Sequence, residues 1–207
     1  MQAGADTHVG GVAAYSTLGF FNDPVLNTFL RFGDQEVARM VFHELAHQIV
    51  YVNNDSAFNE SFATAVENEG MRRWLRYSGT PEQLQTFESQ QGRQTQFNRL
   101  VTDSREQLRE IYSSSLPLDA KRRAKSEALA QMKRTYADLK ASWGNSAAYD
   151  RWFSKPLNNA SLGSISLYTQ WIPAFNALLE QEGGNLPRFY LRVEALARLP
   201  QAERGRR

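Results

Sequence analysis

The stretch VFHELAHQ, residues 41–48, decides how the rest of the chain is interpreted. Its two histidines, His43 and His47, are four residues apart, so both imidazoles leave one face of a helix about one turn apart. Two neutral ring nitrogens at that spacing can bind one tetrahedral Zn²⁺ at roughly 2.0–2.1 Å. Glu44 stands beside this face, where its carboxylate can take a proton from a zinc-bound water. The pattern predicts a metal-binding helix that carries its own general base.

The same pattern also arises by chance on amphipathic helices, where both histidines are solvated or hydrogen-bonded. Two observations favour the metal site. The chain has only three histidines, and two of them lie here at ligand spacing. A carboxylate candidate also follows in a helical context. Because the chain has no cysteine, a protein-bound metal must be held by histidine and carboxylate. The predicted apolar side of the helix consists of Val37, Val41, Leu45, Ile49 and Val52.

Two histidines do not complete a catalytic zinc site, which needs three protein ligands and a water. The next predicted helix, over residues 56–77, offers three glutamates as candidates for the third ligand: Glu60, Glu67 and Glu69. The polar segment at residues 53–55 predicts a short turn that reverses the chain and lays this helix against the first. The helix periodicity alone leaves the choice among the three carboxylates open.

A family resemblance narrows that choice. HELAH followed by FNESFA, residues 58–63, resembles the gluzincin metallopeptidases, whose second helix supplies a zinc-binding glutamate from an NE-x-F-A segment. Glu60 occupies the matching position, and the resemblance implies that it is the third ligand. A closer resemblance, over most of the chain, is to a bacterial family of predicted aminopeptidases. It is carried by YSTLG (15–19), HELAHQ (43–48), FNESFAT (58–64) and NNA (158–160).

The sequence departs from the gluzincin aminopeptidases at two points. Twelve residues separate His47 from Glu60, fewer than in those enzymes. The segment GGVAA, residues 10–14, has no glutamate where those enzymes place one for the free amine of the substrate. Hydrolysis of a peptide substrate with one Zn²⁺ ion is what the resemblance implies, while aminopeptidase and endopeptidase action both stay open.

Residues near Glu60 on its helix are candidates to support the ligands. Glu60, Thr64 and Glu67 share one face, because they lie at i, i+4 and i+7. Thr64 and Glu67 are therefore predicted to hydrogen-bond the metal ligands. The alternatives are a helix-cap region for Thr64 and a solvated surface charge for Glu67.

The predicted chemistry needs a proton carrier and a group that stabilises the oxyanion. Glu44 would deprotonate the metal-bound water and then pass the proton to the leaving amine. The remaining histidine, His8, is interpreted as a surface residue, so a tyrosine hydroxyl is sought for the oxyanion. Tyr168 is the first choice, because it follows NNA in the late helical region where gluzincins place such a tyrosine. Tyr15 is the second, since its predicted strand should line the substrate cleft; either ring could instead be a core aromatic.

The predicted fold class is mainly α, or α+β with a minimal N-terminal β segment. A single domain over residues 1–207 is expected to contain an edge strand (8–21), the zinc-binding helix pair (34–78), a long antiparallel helical hairpin (80–143) and C-terminal helices (157–200). Thr80 and Gln83 predict a capping box at the start of the hairpin. Pro173 should kink a helix over 162–182. The tail from Glu203 to Arg207 is expected to be disordered.

Composition excludes several classes of partner. With 24 basic and 22 acidic side chains the net charge is +2, which gives no case for nucleic-acid binding. No apolar run approaches the roughly 20 residues of a membrane-spanning helix. The first six residues lack the basic and apolar regions of a signal peptide. Members of the resembling family are often longer at the N-terminus and exported, so the resemblance implies a bacterial cell envelope or periplasmic location and a chain that starts inside a larger protein. A cytoplasmic location is the alternative.

Two other functions are compatible with the sequence. One is a non-catalytic helical interaction module with a structural metal site, although such a site would tend to use four protein ligands and would not need Glu44. The other is a zinc hydrolase of a non-peptide amide or ester, because the motif fixes the activation of water and leaves the scissile bond open. The sequence does not indicate an oligomeric state.

Overall fold

The computed structural model describes residues 6–7 and 33–204 of the chain. These residues form nine helices, α1 (Asp34–Ile49), α2 (Ser56–Ser78), α3 (Pro81–Ser113), α4 (Leu118–Ser142), α5 (Asp150–Phe153), α6 (Asn159–Thr169), α7 (Ile172–Gln181), α8 (Leu186–Ala197) and α9 (Gln201–Arg204). The mainly helical fold predicted from the sequence is confirmed. The predicted strand 8–21, with His8 and Tyr15, lies outside the described residues.

The helices group into two compact units. Among the described residues, the hairpin unit comprises 6–7 and 86–166, and the helix-pair unit comprises 33–85 and 167–204. The predicted single domain over residues 1–207 stays a prediction. Each helix within 33–204 falls short of the combination of length and hydropathy that crossing a bilayer requires.

The predicted chain reversal between the first two helices is present. Asn54 adopts a left-handed backbone conformation with φ of 61°, and the side chain of Asp55 caps α2 by accepting from the Phe58 N–H at 3.1 Å. Asn59 exchanges two hydrogen bonds of 2.8 Å with the backbone of Val52. These contacts fix the turn and lay α2 antiparallel to α1.

A close approach of α1 and α2 further along the pair depends on a glycine. The ring of Phe42 in α1 lies over Gly70 in α2, so closely that a Cβ added to Gly70 would sit 2.8 Å from Phe42 Cγ. Ordinary side-chain contacts are longer than this, so only glycine fits without a shift of the ring. A larger residue at position 70 would therefore force α1 and α2 further apart.

The apolar side predicted for α1 is wrong in part. Ala46 and Val50 are buried, whereas Val41, Leu45 and Ile49 are 42%, 50% and 38% exposed in the described structure. The buried side is the one that carries Ala46, whose small side chain allows α2 to pack close to the helix. The large apolar residues Val41, Leu45 and Ile49 therefore do not lie on the buried side of α1.

Behind this pair lies an aromatic core. Phe62 of α2 is fully buried and packs against Phe175 of α7 and Phe189 of α8, with ring centroids 5.8 and 5.9 Å apart. Such tilted and edge-to-face pairs add to the free energy gained by burying the rings. α7 begins at Ile172 with Pro173 in its first turn, so the predicted kink is a break between two helices.

The end of the chain contradicts one expectation. The predicted disorder from Glu203 onward is wrong for Glu203 and Arg204, which belong to α9. The guanidinium of Arg204 pairs with the carboxylate of Asp55 and lies 5.5 Å from the centre of the Phe58 ring. Charge and cation–π contacts therefore hold this turn against the start of α2.

The hairpin unit contains the predicted antiparallel pair. The capping box at the start of α3 is confirmed, because Thr80 N–H donates to Gln83 Oε1 at 2.8 Å and Gln83 N–H donates to Thr80 Oγ1 at 3.3 Å. Lys121 at the start of α4 donates to the Tyr112 carbonyl at the end of α3. Both helices contribute to a second buried cluster, which consists of Phe97, Leu100, Val101, Leu108, Ala128, Met132, Tyr136, Phe153 and Leu162.

The glycine contact makes a prediction with an internal control. Gly70→Ala should lower the free energy of unfolding by about 1–3 kcal/mol, because the new methyl group overlaps the Phe42 ring. Gly92→Ala, in α3, meets no atom within 4 Å and should raise it by about 0.5–1 kcal/mol. Urea unfolding measures both. Equal stabilities for the two variants would contradict the close packing of α1 on α2.

Candidate metal centre

Three predicted ligands meet on the facing sides of α1 and α2. His43 and His47 come from successive turns of α1, and Glu60 comes from the first turn and a half of α2. One ligand atom from each side chain lies within 4.8 Å of the others, and this group could hold a metal ion. The sequence prediction that these three residues converge agrees with their positions, while their role as ligands stays a prediction.

The distances suit tetrahedral coordination. His43 Nε2 lies 3.3 Å from Glu60 Oε2, and His47 Nε2 lies 3.8 Å from Glu60 Oε1. Two ligand atoms bound tetrahedrally at roughly 2.0–2.1 Å from one ion are separated by about 3.3 Å. The separation of His43 from Glu60 matches this value and that of His47 from Glu60 is about 0.5 Å longer, so the two imidazoles and the carboxylate could hold a divalent cation.

Glu67 contacts the first histidine from the side away from Glu60. His43 Nδ1 donates to Glu67 Oε2 at 3.1 Å, which leaves Nε2 directed toward the other ligands. Glu67 is buried, with its side chain 10% exposed. The alternative of a solvated surface charge is therefore excluded for this residue, and its carboxylate is placed where it would orient an imidazole ligand.

Arg39 completes this contact and was missed by the sequence analysis. Its Nε and Nη2 both contact Glu67 Oε1, at 2.8 and 2.7 Å. Each oxygen of Glu67 thus has its own partner, the guanidinium on one side and His43 on the other. The sequence carried only part of the signal, since Arg39 precedes His43 by four residues and lies on the same face of α1, but this spacing does not reveal its partner on α2.

His47 is supported differently from His43. Its ring is buried, and its Nδ1 has no hydrogen-bond partner among the described residues. The neighbouring aromatic groups are His43, with ring centroids 5.0 Å apart, and Tyr51, at 6.3 Å, both edge-to-face. Tyr51 is a second residue near the centre that sequence reasoning missed.

The proton affinities of the three groups differ. Burial would lower the pKa of His43, but hydrogen bonds to Glu60 and Glu67 outweigh it and raise the pKa to about 9. For His47, burial and the neighbouring charge of His43 lower the pKa. For Glu60, burial would raise the pKa, yet the hydrogen bond from His43 and the charges of both histidines lower it. Without a cation, the centre therefore keeps a proton on His43 that a metal must displace.

The other predicted site residues occupy different positions. Glu44 follows His43 in α1 and is partly buried, and Thr64 is partly buried one turn after Glu60. Tyr168 has its side chain 54% exposed, while its carbonyl accepts from the hydroxyl of Ser61 at 3.5 Å. The backbone of Tyr168 thus lies beside α2 at Ser61, the residue that follows Glu60. The roles of these residues stay predictions, and Tyr15 lies outside the described residues.

Glu69, the remaining carboxylate candidate, is used elsewhere. Its two oxygens pair with Arg72 and Arg73 on its own helix. It is not part of the group of ligand atoms around His43. Of the three glutamates left open by helix periodicity, Glu60 is the one grouped with both histidines.

Residues 1–207 match a protein family described as "Putative aminopeptidase". The match covers the whole chain, which therefore belongs to this family. Searches of curated proteins and of solved structures gave no match. The resemblance to an aminopeptidase family is confirmed, and membership of the gluzincins stays a prediction.

The raised pKa of His43 predicts how the metal-free protein responds to pH. A folded pKa of about 9 against an ordinary 6.5 adds stability that is complete below pH 6.5 and is lost as pH rises through 9. His47 and Glu60, with lowered pKa values, titrate below this window. Urea unfolding in EDTA should show a loss on the order of 3 kcal/mol between pH 6.5 and 9.

His43→Gln provides the control for this measurement, since glutamine has no proton to lose. The variant should unfold with nearly the same free energy at both pH values. A slope as steep as that of the wild type would place the titrating group elsewhere and contradict the arrangement of His43 between two carboxylates.

Proposed function

We propose that this chain is a zinc-dependent peptidase in which His43, His47 and Glu60 hold one Zn²⁺ ion and Glu44 is the general base. The observation that carries the proposal is the convergence of two imidazoles and a carboxylate, from two neighbouring helices, with ligand atoms within 4.8 Å. Membership of the aminopeptidase family supports a peptide as substrate.

The donor set supports zinc in a catalytic setting. Catalytic zinc sites commonly use three protein ligands of this kind and keep a fourth position for water or substrate, whereas structural sites use four. The chain has no cysteine to offer a thiolate site. A bound Zn²⁺ would supply Lewis acidity, which polarises the scissile carbonyl and lowers the pKa of a bound water.

Glu44 is the proposed proton carrier. It directly follows His43 on α1 and is partly buried, next to the face that carries the two histidines. From there its carboxylate can accept the proton of the attacking water and donate it to the nitrogen of the leaving amine. Glu67, held against His43 Nδ1, keeps the imidazole Nε2 directed at the centre.

Tyr168 is the proposed donor to the oxyanion. Tyr168 is 54% exposed, which differs from a core aromatic, and its carbonyl accepts a hydrogen bond from Ser61 of α2, the residue after Glu60. A hydroxyl donor strengthens its hydrogen bond as negative charge develops on the carbonyl oxygen, which stabilises the transition state.

Glu44→Gln tests the proposed base. The variant should keep one equivalent of Zn²⁺, because Glu44 is not a ligand, and should lose about 10²–10⁴-fold in kcat on a peptide library. Zinc content is measured by elemental analysis and hydrolysis by mass spectrometry of the peptides. Glu88→Gln, at an exposed glutamate of α3, should retain activity.

The outcomes separate the competing functions. Zinc bound at one equivalent without any hydrolysis by the wild type would favour a structural metal site in an interaction module. Hydrolysis that survives in Glu44→Gln would remove Glu44 from the mechanism. Comparing peptides with free and acetylated N-termini decides between aminopeptidase and endopeptidase action.

Tyr168→Phe tests the oxyanion donor. Removing the hydroxyl should lower kcat by about 10²–10³-fold while leaving KM and zinc content nearly unchanged. Steady-state kinetics on the preferred peptide measure the effect, with Tyr51→Phe as the matched variant near His47. A large loss in Tyr51→Phe and none in Tyr168→Phe would assign the role to Tyr51.

A further inference from the structure

Arg39, His43 and His47 occupy successive turns of α1 and face α2. Arg39 does not reach the ligand group itself; it contacts Glu67, which contacts His43. Two guanidinium nitrogens contact a single carboxylate oxygen, at 2.8 and 2.7 Å, and leave the other oxygen to the imidazole. Arg39, Glu67 and His43 are thus connected by successive contacts that end at the proposed metal ligand, His43.

We propose that Arg39 is a positioning residue for the metal centre, which acts by holding the Glu67 carboxylate in the orientation that fixes the ring of His43. The inference rests on the proposed function, because it treats His43 as a metal ligand. It adds a residue outside the HExxH and NE-x-F-A motifs to the machinery of the site.

Burial explains why Glu67 needs such a partner. Its side chain is 10% exposed, and a carboxylate removed from water is costly unless its oxygens are paired. His43 pairs with Oε2 alone, so the loss of Arg39 leaves Oε1 without its charged donor. The carboxylate would then turn toward solvent or toward another donor, and the hydrogen bond to His43 Nδ1 would be lost.

The fork geometry makes arginine difficult to replace. A guanidinium presents several N–H groups in a fixed plane, whereas the ammonium of lysine is a compact charge on a flexible stem. Arg39 also lies 3.6 Å from Glu36, which restrains its other nitrogen. Arg39→Lys should therefore restore only part of the effect, although it keeps the charge.

The effect should fall on one histidine. His43 has Glu67 behind its ring, while His47 Nδ1 has no partner among the described residues. His43 is thus the ligand whose orientation is set before the metal arrives. Loss of such an outer hydrogen bond typically weakens metal binding by 10–100-fold, and we expect about tenfold for Arg39→Gln.

The chain offers a matched control. Arg72 pairs with Glu69 in α2, and the exposures of the two side chains are 34% and 13%, against 37% and 10% for Arg39 and Glu67. Only the Arg39 pair reaches a proposed metal ligand. Zn²⁺ affinity, measured by competition with a chromophoric chelator, should fall about tenfold in Arg39→Gln and by less than twofold in Arg72→Gln.

A double-mutant cycle identifies the route. If Arg39 acts through Glu67, then Arg39→Gln combined with Glu67→Gln should bind Zn²⁺ no more weakly than Glu67→Gln alone. Additive losses would show that Arg39 acts independently of Glu67 and would overturn the inference. Zn²⁺ affinity of Arg39→Gln within twofold of the wild type would overturn it as well.

A measurement on the metal-free protein separates this inference from the proposed function. The Nδ1–H of His43 should give a protected NMR signal in the wild type and in Arg72→Gln, and should lose that protection in Arg39→Gln. If the wild type binds no Zn²⁺, the proposed function fails, and this signal still decides whether Arg39 positions His43. An unchanged signal in Arg39→Gln would overturn the positioning role.

Discussion

The close antiparallel contact between α1 and α2 is the constraint on which the rest of the centre depends. Phe42 packs over Gly70, and Asn59 binds the backbone of Val52, so the two helices are fixed at both ends of the contact. Between these points α1 presents its histidines and α2 its carboxylates. A site whose residues come from two helices is only as well ordered as the packing of those helices. Here the packing depends on Gly70, where a larger residue would overlap the Phe42 ring.

Charge is balanced locally in the same interface. The facing side chains bring two carboxylates, Glu60 and Glu67, against one guanidinium and two imidazoles. The raised pKa of His43 follows from this arrangement, since a proton on its ring compensates the carboxylates when no cation does. A divalent ion held by these residues would replace that proton and bring more positive charge to the two carboxylates.

Much of the fold and part of the centre follow from the sequence, for identifiable reasons. Helices, their caps and the turn at residues 53–55 depend on local patterns, and Thr80 with Gln83 is an example that local chemistry determines. The spacing of His43 and His47 likewise fixes a shared face. The side of α1 that packs was not predictable from hydrophobicity, because Ala46 is buried in one cluster with residues of α2 while Leu45 stays exposed. Arg39 was missed because its importance arises from a partner 28 residues away, which only the register of the two helices reveals.

The two hydrogen bonds between Asn59 and Val52 fix the distance between the end of α1 and the start of α2. Asn59 directly precedes Glu60, so whatever determines its position also determines where the carboxylate emerges. An added residue between 53 and 58 would rotate Glu60 by about 100° about the axis of its helix relative to the histidines. Loops usually accept insertions readily, but a change of length in this one would displace Glu60 from His43 and His47.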